Sequence, residues 1–136
     1  KAKILTDSLA LIDIPAHIVA DDDALLFELV LKNLYILTTN IAGLIIEPGA
    51  NVNDLRNNHL SLMRDVSKDV LILQNQLTGQ SFSEDQLEQG MIKAFEGDLK
   101  HGCMGRSAPV RLDRALELAS EFNLEVQTLQ KIKDSL

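Results

Sequence analysis

Three prolines divide this chain into segments in which apolar residues recur every three or four positions. They are Pro15, Pro48 and Pro109, and proline breaks a helix interior but is tolerated in a first turn. The four segments between them therefore predict helices. With 136 residues and 46% apolar side chains, the chain is long enough to bury a core. The pattern predicts an all-α fold, an antiparallel bundle of about five helices that forms a single domain over 1–136.

Capping signals predict where the first three helices begin and end. A short helix carries Leu5, Leu9 and Ile12 on one face. The second spans 24–46 behind the acidic triplet at 21–23, which complements the positive end of a helix, and we expect it to be the most buried. The third begins at the cap residue Asn51 or Asn53 and ends at Gly79.

The fourth helix has the clearest start. Ser83 is a predicted N-cap with Gln86 three residues later, and the helix is expected to run to Leu99. Gly90 and Gly97 lie inside it, where glycine costs about 1 kcal/mol relative to alanine. We therefore expect a close neighbour at each glycine.

The last predicted helix starts at Pro109 and carries an apolar stripe at heptad spacing almost to the end of the chain. The stripe consists of Leu112, Ala119, Phe122, Val126 and Leu129, together with Ala115. A continuous stripe of this kind is typical of a coiled-coil surface. It predicts a protein partner or a homodimer through the C-terminal helix.

An α/β alternative rests on three short apolar runs, because such runs do not distinguish strand from helix by periodicity alone. Ile18–Leu26 resembles the first strand and acidic pocket of a response-regulator receiver domain, Gly43–Ile46 resembles a second strand, and Asp69–Leu73 resembles the third. The resemblance implies a parallel sheet and a phosphorylated aspartate. Gln74 occupies that aspartate's position, so the alternative is a degenerate receiver-like domain that lacks the phospho-acceptor.

Charge and composition exclude several classes of protein. The net charge of −7 argues against nucleic-acid binding, which needs a basic face. The single cysteine, Cys103, excludes a disulfide framework and a cysteine-rich zinc site. The apolar stretch 24–46 contains Glu28 and Lys32, which argue against membrane insertion. No signal peptide is visible, so we expect a cytoplasmic protein. We also expect no metal and no cofactor.

Three residues are candidates for binding a small ligand. His59 lies on the apolar stripe of the third helix, and Tyr35 lies on the second helix, so a pocket between these helices is predicted near both side chains. Arg106 follows two glycines ahead of a helix start, an arrangement typical of anion binding. The same arginine would favour the thiolate of Cys103.

No assembled catalytic motif is present, so the sequence favours a protein that is not an enzyme. We expect a non-catalytic regulatory or protein-interaction helical module, such as a sensor or docking domain of a larger signalling protein. The lack of an initiator methionine is consistent with excision from a longer chain. The alternatives are the degenerate receiver and a small-ligand sensor with a pocket between helices.

Overall fold

Six α-helices make up the computed structural model, which describes residues 23–136. Their bounds are α1 Asp23–Gly43, α2 Val52–Asn58, α3 Leu60–Thr78, α4 Glu84–Gly97, α5 Ala108–Glu121 and α6 Gln127–Ser135. The prediction of an all-α bundle is confirmed. The short helix predicted around Leu5 and the residues Asp21 and Asp22 lie outside the described residues.

Helix α1 is the centre of the bundle, as its apolar sequence predicts. It packs against α3, α5 and α4, and its buried residues include Leu26, Val30, Leu34, Leu37 and Ile41. It ends at Gly43, before the predicted end at Ile46. By length and composition Ala24–Gly43 is also apolar enough to cross a membrane, a test that the core helix of a soluble protein passes as well.

The receiver-like α/β alternative is wrong. Residues 69–73 lie within α3, and 43–46 form the last residue of α1 and the turn after it. Val70, Leu73 and Leu77 are buried while Ile72 is exposed, which is helical spacing and not the alternation of a strand. Within residues 23–136 there is no strand, only one isolated antiparallel pairing.

The helix predicted from Asn51 to Gly79 is divided in two at His59. Asn51 is the N-cap of α2, since its side chain accepts from the backbone N–H of Asp54 at 2.9 Å, and the Asp54 carboxylate accepts from the Asn51 N–H at 3.0 Å. His59 leaves the helical conformation (φ −135°, ψ 36°) and separates α2 from α3. The predicted end is confirmed, because Gly79 has a φ of +70°.

The long C-terminal helix is also interrupted. The N–H of Leu124 donates to the carbonyl of Ala119 at 2.8 Å, and the N–H of Asn123 donates to that of Ser120 at 3.3 Å. These two bonds, with Asn123 at φ +55°, form a Schellman turn. Asparagine tolerates this left-handed conformation, so α5 ends here and the chain turns into α6.

Helix α6 is capped by a side chain from another helix. One carboxylate oxygen of Asp69, in α3, accepts hydrogen bonds from the backbone N–H groups of Thr128 at 2.8 Å and Leu129 at 3.1 Å. The residue at the N-cap, Val126, has no side-chain capping bond. Asp69 therefore satisfies donors that a helix start leaves open, and its negative charge faces the positive end of the helix.

The start of α4 is as predicted, and its two glycines differ. Ser83 accepts from the N–H of Gln86 at 3.3 Å. A Cβ at Gly90 would lie 2.8 Å from the side chain of Leu31 on α1, whereas one at Gly97 would meet nothing within 4 Å. The close neighbour is confirmed for Gly90 and wrong for Gly97, which is the last residue of the helix.

Candidate functional site

Two loops that are distant in sequence pair with each other at one end of the bundle. They are 44–51, after α1, and 98–107, before α5, and we call this pair the loop junction. The N–H of Cys103 donates to the carbonyl of Ala50 at 3.0 Å, and the N–H of Val52 donates to that of His101 at 2.9 Å. Asn51 and Gly102 form the antiparallel pairing between these two bonds. The backbone itself therefore holds the two loops together.

The C-terminal end of α1 supports the loop junction. The side-chain amide of Asn40 donates to the carbonyl of Cys103 at 3.2 Å. A Cβ at Gly43 would lie 3.0 Å from both the Cβ and the backbone nitrogen of Met104. Glycine at this position therefore allows the loop to lie directly on the helix.

Tyr35 contributes to the junction, with neighbours that the sequence did not predict. Its ring packs edge-on against Phe95 at 5.3 Å and lies 5.9 Å from the ring of His101. Burial raises the pKa of Tyr35, and the nearby Asp98 and Cys103 raise it further. The structure thus brings Tyr35 together with residues of the 98–107 loop.

His59 pairs with the other loop of the junction. Its Nε2 lies 2.8 Å from Oε2 of Glu47, and both side chains are solvent-accessible. The pKa of Glu47 is lowered, first by a hydrogen bond from its own backbone and then by His59. Tyr35 contacts the 98–107 loop, whereas His59 contacts the 44–51 loop. The predicted pocket between them stays a prediction.

Cys103 is a buried residue of the junction. It borders a small cavity of about 100 Å³ with Gly43, Pro48 and Met104. Burial raises the pKa of the Cys103 thiol to about 11, which contradicts the expected stabilisation of its thiolate by Arg106. Arg106 is exposed, next to the N-cap residue of α5, and its role in anion binding stays a prediction.

The stripe predicted to bind a partner is covered by the chain itself. Leu112, Ala119, Val126 and Leu129 are buried, and Phe122 packs against the same core. The heptad spacing correctly indicates a buried face, but the turn between α5 and α6 divides that face between two helices. These residues are core residues, and the described structure presents no continuous stripe to a second copy.

Exposed apolar side chains concentrate at the junction instead. Seven large apolar residues are exposed in the described part of the chain. Four of them lie in the two loops or in the first turn of α5, and we call these the exposed junction residues: Ile45, Leu99, Met104 and Val110. Met104 is the most exposed of the four at 55%. Sequence reasoning missed this set because it assigned Ile45, Leu99 and Val110 to helices and Met104 to a linker.

Among residues 23–136 no three His, Cys, Asp or Glu side chains are grouped so that they could hold a metal ion. Comparison with protein-family models, curated proteins and solved structures found no match to the chain.

Proposed function

We propose that this chain is a non-catalytic interaction module that binds another polypeptide through the loop junction. The observation that carries the proposal is that three exposed apolar side chains lie on two loops that are hydrogen-bonded to each other, and a fourth lies in the first turn of α5 directly after them. Exposed apolar side chains that occur together are typical of protein interaction sites, whereas isolated ones need no explanation.

The construction of the junction also favours binding. The loops are paired by backbone hydrogen bonds, and the side chain of Asn40 hydrogen-bonds the 98–107 loop to α1. Ordering the loops on binding therefore costs little conformational entropy. Met104 adds an unbranched side chain that adapts to the shape of a partner. Loops held by a rigid helical scaffold are a common position for binding residues.

The test uses matched pairs of serine substitutions in the full chain. Met104→Ser with Val110→Ser removes two exposed junction residues. Ile72→Ser with Leu136→Ser removes two apolar residues of comparable exposure elsewhere (38% and 60%). Each chain is immobilised, incubated with an extract of the source cells, and the retained proteins are quantified by mass spectrometry.

We expect the wild type and the Ile72/Leu136 control to retain the same proteins, and the Met104/Val110 variant to retain them about tenfold less. Equal retention by all three chains would refute the proposal, as would the absence of any protein that the wild type retains above an unrelated immobilised chain. If the partner is a second copy, light scattering will show a dimer that the Met104/Val110 variant dissociates.

A further inference from the structure

A second surface feature, independent of the loop junction, lies between α3 and α4. Both helices pack against α1, and a cleft of about 250 Å³ lies between them. Its floor is apolar, since it contains the buried residues Leu34, Leu71 and Leu87. These leucines come from three different helices, so the cleft depends on the folded arrangement of all three.

The two walls of this cleft carry opposite charge. Arg64 and Lys68 lie on the α3 side, and Glu84, Asp85 and Glu88 lie on the α4 side. Arg64 bridges the walls, because its Nε and Nη2 donate to the two carboxylate oxygens of Glu88 at 2.8 and 3.3 Å. Within residues 23–136, Lys68, Glu84 and Asp85 form no ion pair. One positive group, Lys68, and two negative groups, Glu84 and Asp85, therefore remain without an ion-pair partner on opposite sides of the apolar floor.

This arrangement discriminates between ligands by their charge. An anion attracted to Lys68 would face the carboxylates of Glu84 and Asp85, and a cation attracted to those carboxylates would face Lys68. A molecule that carries both charges meets attraction on each wall. The leucine floor adds a place for an aliphatic group, whose burial is favourable at about 25 cal/mol per Å².

We propose that the cleft binds a small zwitterion with an aliphatic side chain, that is, an aliphatic α-amino acid. Its carboxylate pairs with Lys68, its ammonium group pairs with Glu84 and Asp85, and its side chain lies toward Leu34, Leu71 and Leu87. Arg64 and Glu88 hold the walls of the cleft in place and neutralise each other.

The experiment is an NMR titration of the full chain, labelled with ¹⁵N, with L-leucine as the probe. Two analogues test the charge requirement: 4-methylpentanoate lacks the ammonium group, and leucinamide lacks the carboxylate. Lys68→Met and the pair Glu84→Gln with Asp85→Asn test the walls. Lys93→Met, an exposed lysine of α4 outside the cleft, is the matched control.

We expect saturable shifts at the backbone amides around the cleft. Each analogue and each wall variant should bind about fivefold more weakly, the loss of one ion pair of about 1 kcal/mol, while Lys93→Met binds like the wild type. No saturable shift with L-leucine, equal binding of the three probes, or shifts centred elsewhere would overturn the proposal. The analogue series uses the wild-type chain, so it tests the proposal even if a variant misfolds. The outcome is also separate from the proposed interaction at the loop junction.

Discussion

Replacing Asp69 by alanine should be among the most damaging single changes outside the apolar core. The substitution removes the oxygen that accepts from the N–H groups of Thr128 and Leu129. Leu129 is fully buried, so its N–H gains no water in exchange, whereas Thr128 is partly exposed. A buried donor left without a partner costs about 1–3 kcal/mol, and loss of a helix N-cap costs about 0.5–2 kcal/mol.

These contributions overlap, because the cap consists of the same two hydrogen bonds. Removing the buried carboxylate also returns part of its desolvation cost. We therefore expect Asp69→Ala to lower the free energy of unfolding by about 2–3 kcal/mol. For a domain of this size that corresponds to a fall in Tm of about 6–12 °C. Asp69→Asn keeps an acceptor oxygen and should stay within about 1 kcal/mol of the wild type.

The pH dependence provides a second readout. Burial raises the pKa of Asp69 above 3.8, although the two backbone donors oppose the shift. The folded chain therefore binds this proton more tightly than the unfolded chain. Stability from this group is greatest below pH 3.8 and is lost as the pH rises through the raised pKa. Relative to Asp69→Asn, the free energy of unfolding of the wild type should fall as the pH rises from 3.8 through the raised pKa of Asp69.

Urea unfolding followed by circular dichroism, repeated across this pH range, measures both effects. The capping argument is refuted if Asp69→Ala unfolds within about 0.5 kcal/mol of the wild type. It is equally refuted if Asp69→Asn is as damaging as Asp69→Ala, since the acceptor oxygen would then be irrelevant.

Three further predictions concern stability and reactivity. Asn33 is buried, and its amide nitrogen and oxygen have no hydrogen-bond partner among residues 23–136, so Asn33→Leu should stabilise by about 1–3 kcal/mol in urea unfolding. Asn40→Leu loses the bond to the Cys103 carbonyl and should destabilise by about 1 kcal/mol. If Asn33→Leu were instead the more destabilising of the two variants, the hydrogen-bonding difference between Asn33 and Asn40 would be contradicted. Gly97→Ala should raise the unfolding free energy by about 0.4–1 kcal/mol, because alanine leaves the unfolded chain fewer conformations and Gly97 lies outside the left-handed region. Gly90→Ala places its new Cβ 2.8 Å from an α1 side chain, so its unfolding free energy should rise by less. Thermal unfolding of the two variants compares them. With a pKa of about 11 against the ordinary 9.0, Cys103 has about a hundredfold less thiolate at pH 8. It should react slowly with a disulfide reagent until denaturant is added, and fast labelling of the native chain would show that the thiol is accessible.

Local features of this fold are readable from the sequence. Apolar spacing identifies the helices, and the cap residues Asn51, Ser83 and Gly79 mark ends that the structure confirms. These signals work because the capping groups lie within a few residues of the backbone that they satisfy. The interruption at Asn123 had a local signal too, but an asparagine in a left-handed turn is not distinguished by composition from an exposed helical residue.

Long-range contacts are not readable in the same way. Periodicity shows that the face containing Leu112 and Leu129 is buried, but not whether this chain or a partner covers it. The Asp69 cap joins residues about sixty positions apart, and Tyr35 meets His101 instead of His59. Each depends on how the helices turn back on one another, which a pattern of single residues does not contain. The candidate site could not be located before the loops were seen together.

The pairing of Asn51 with Gly102 has a consequence for the order in which the molecule acquires its surfaces. It closes a loop that contains α2, α3 and α4, and the entropy cost of closure grows with loop length. Contacts of such sequence separation form slowly and return their stabilisation only when the intervening helices have turned back. A chain in which α2, α3 and α4 have not yet folded is therefore expected to lack the junction. A partner that recognises the junction would bind chains that have completed folding. Binding would then indicate that a chain is correctly folded.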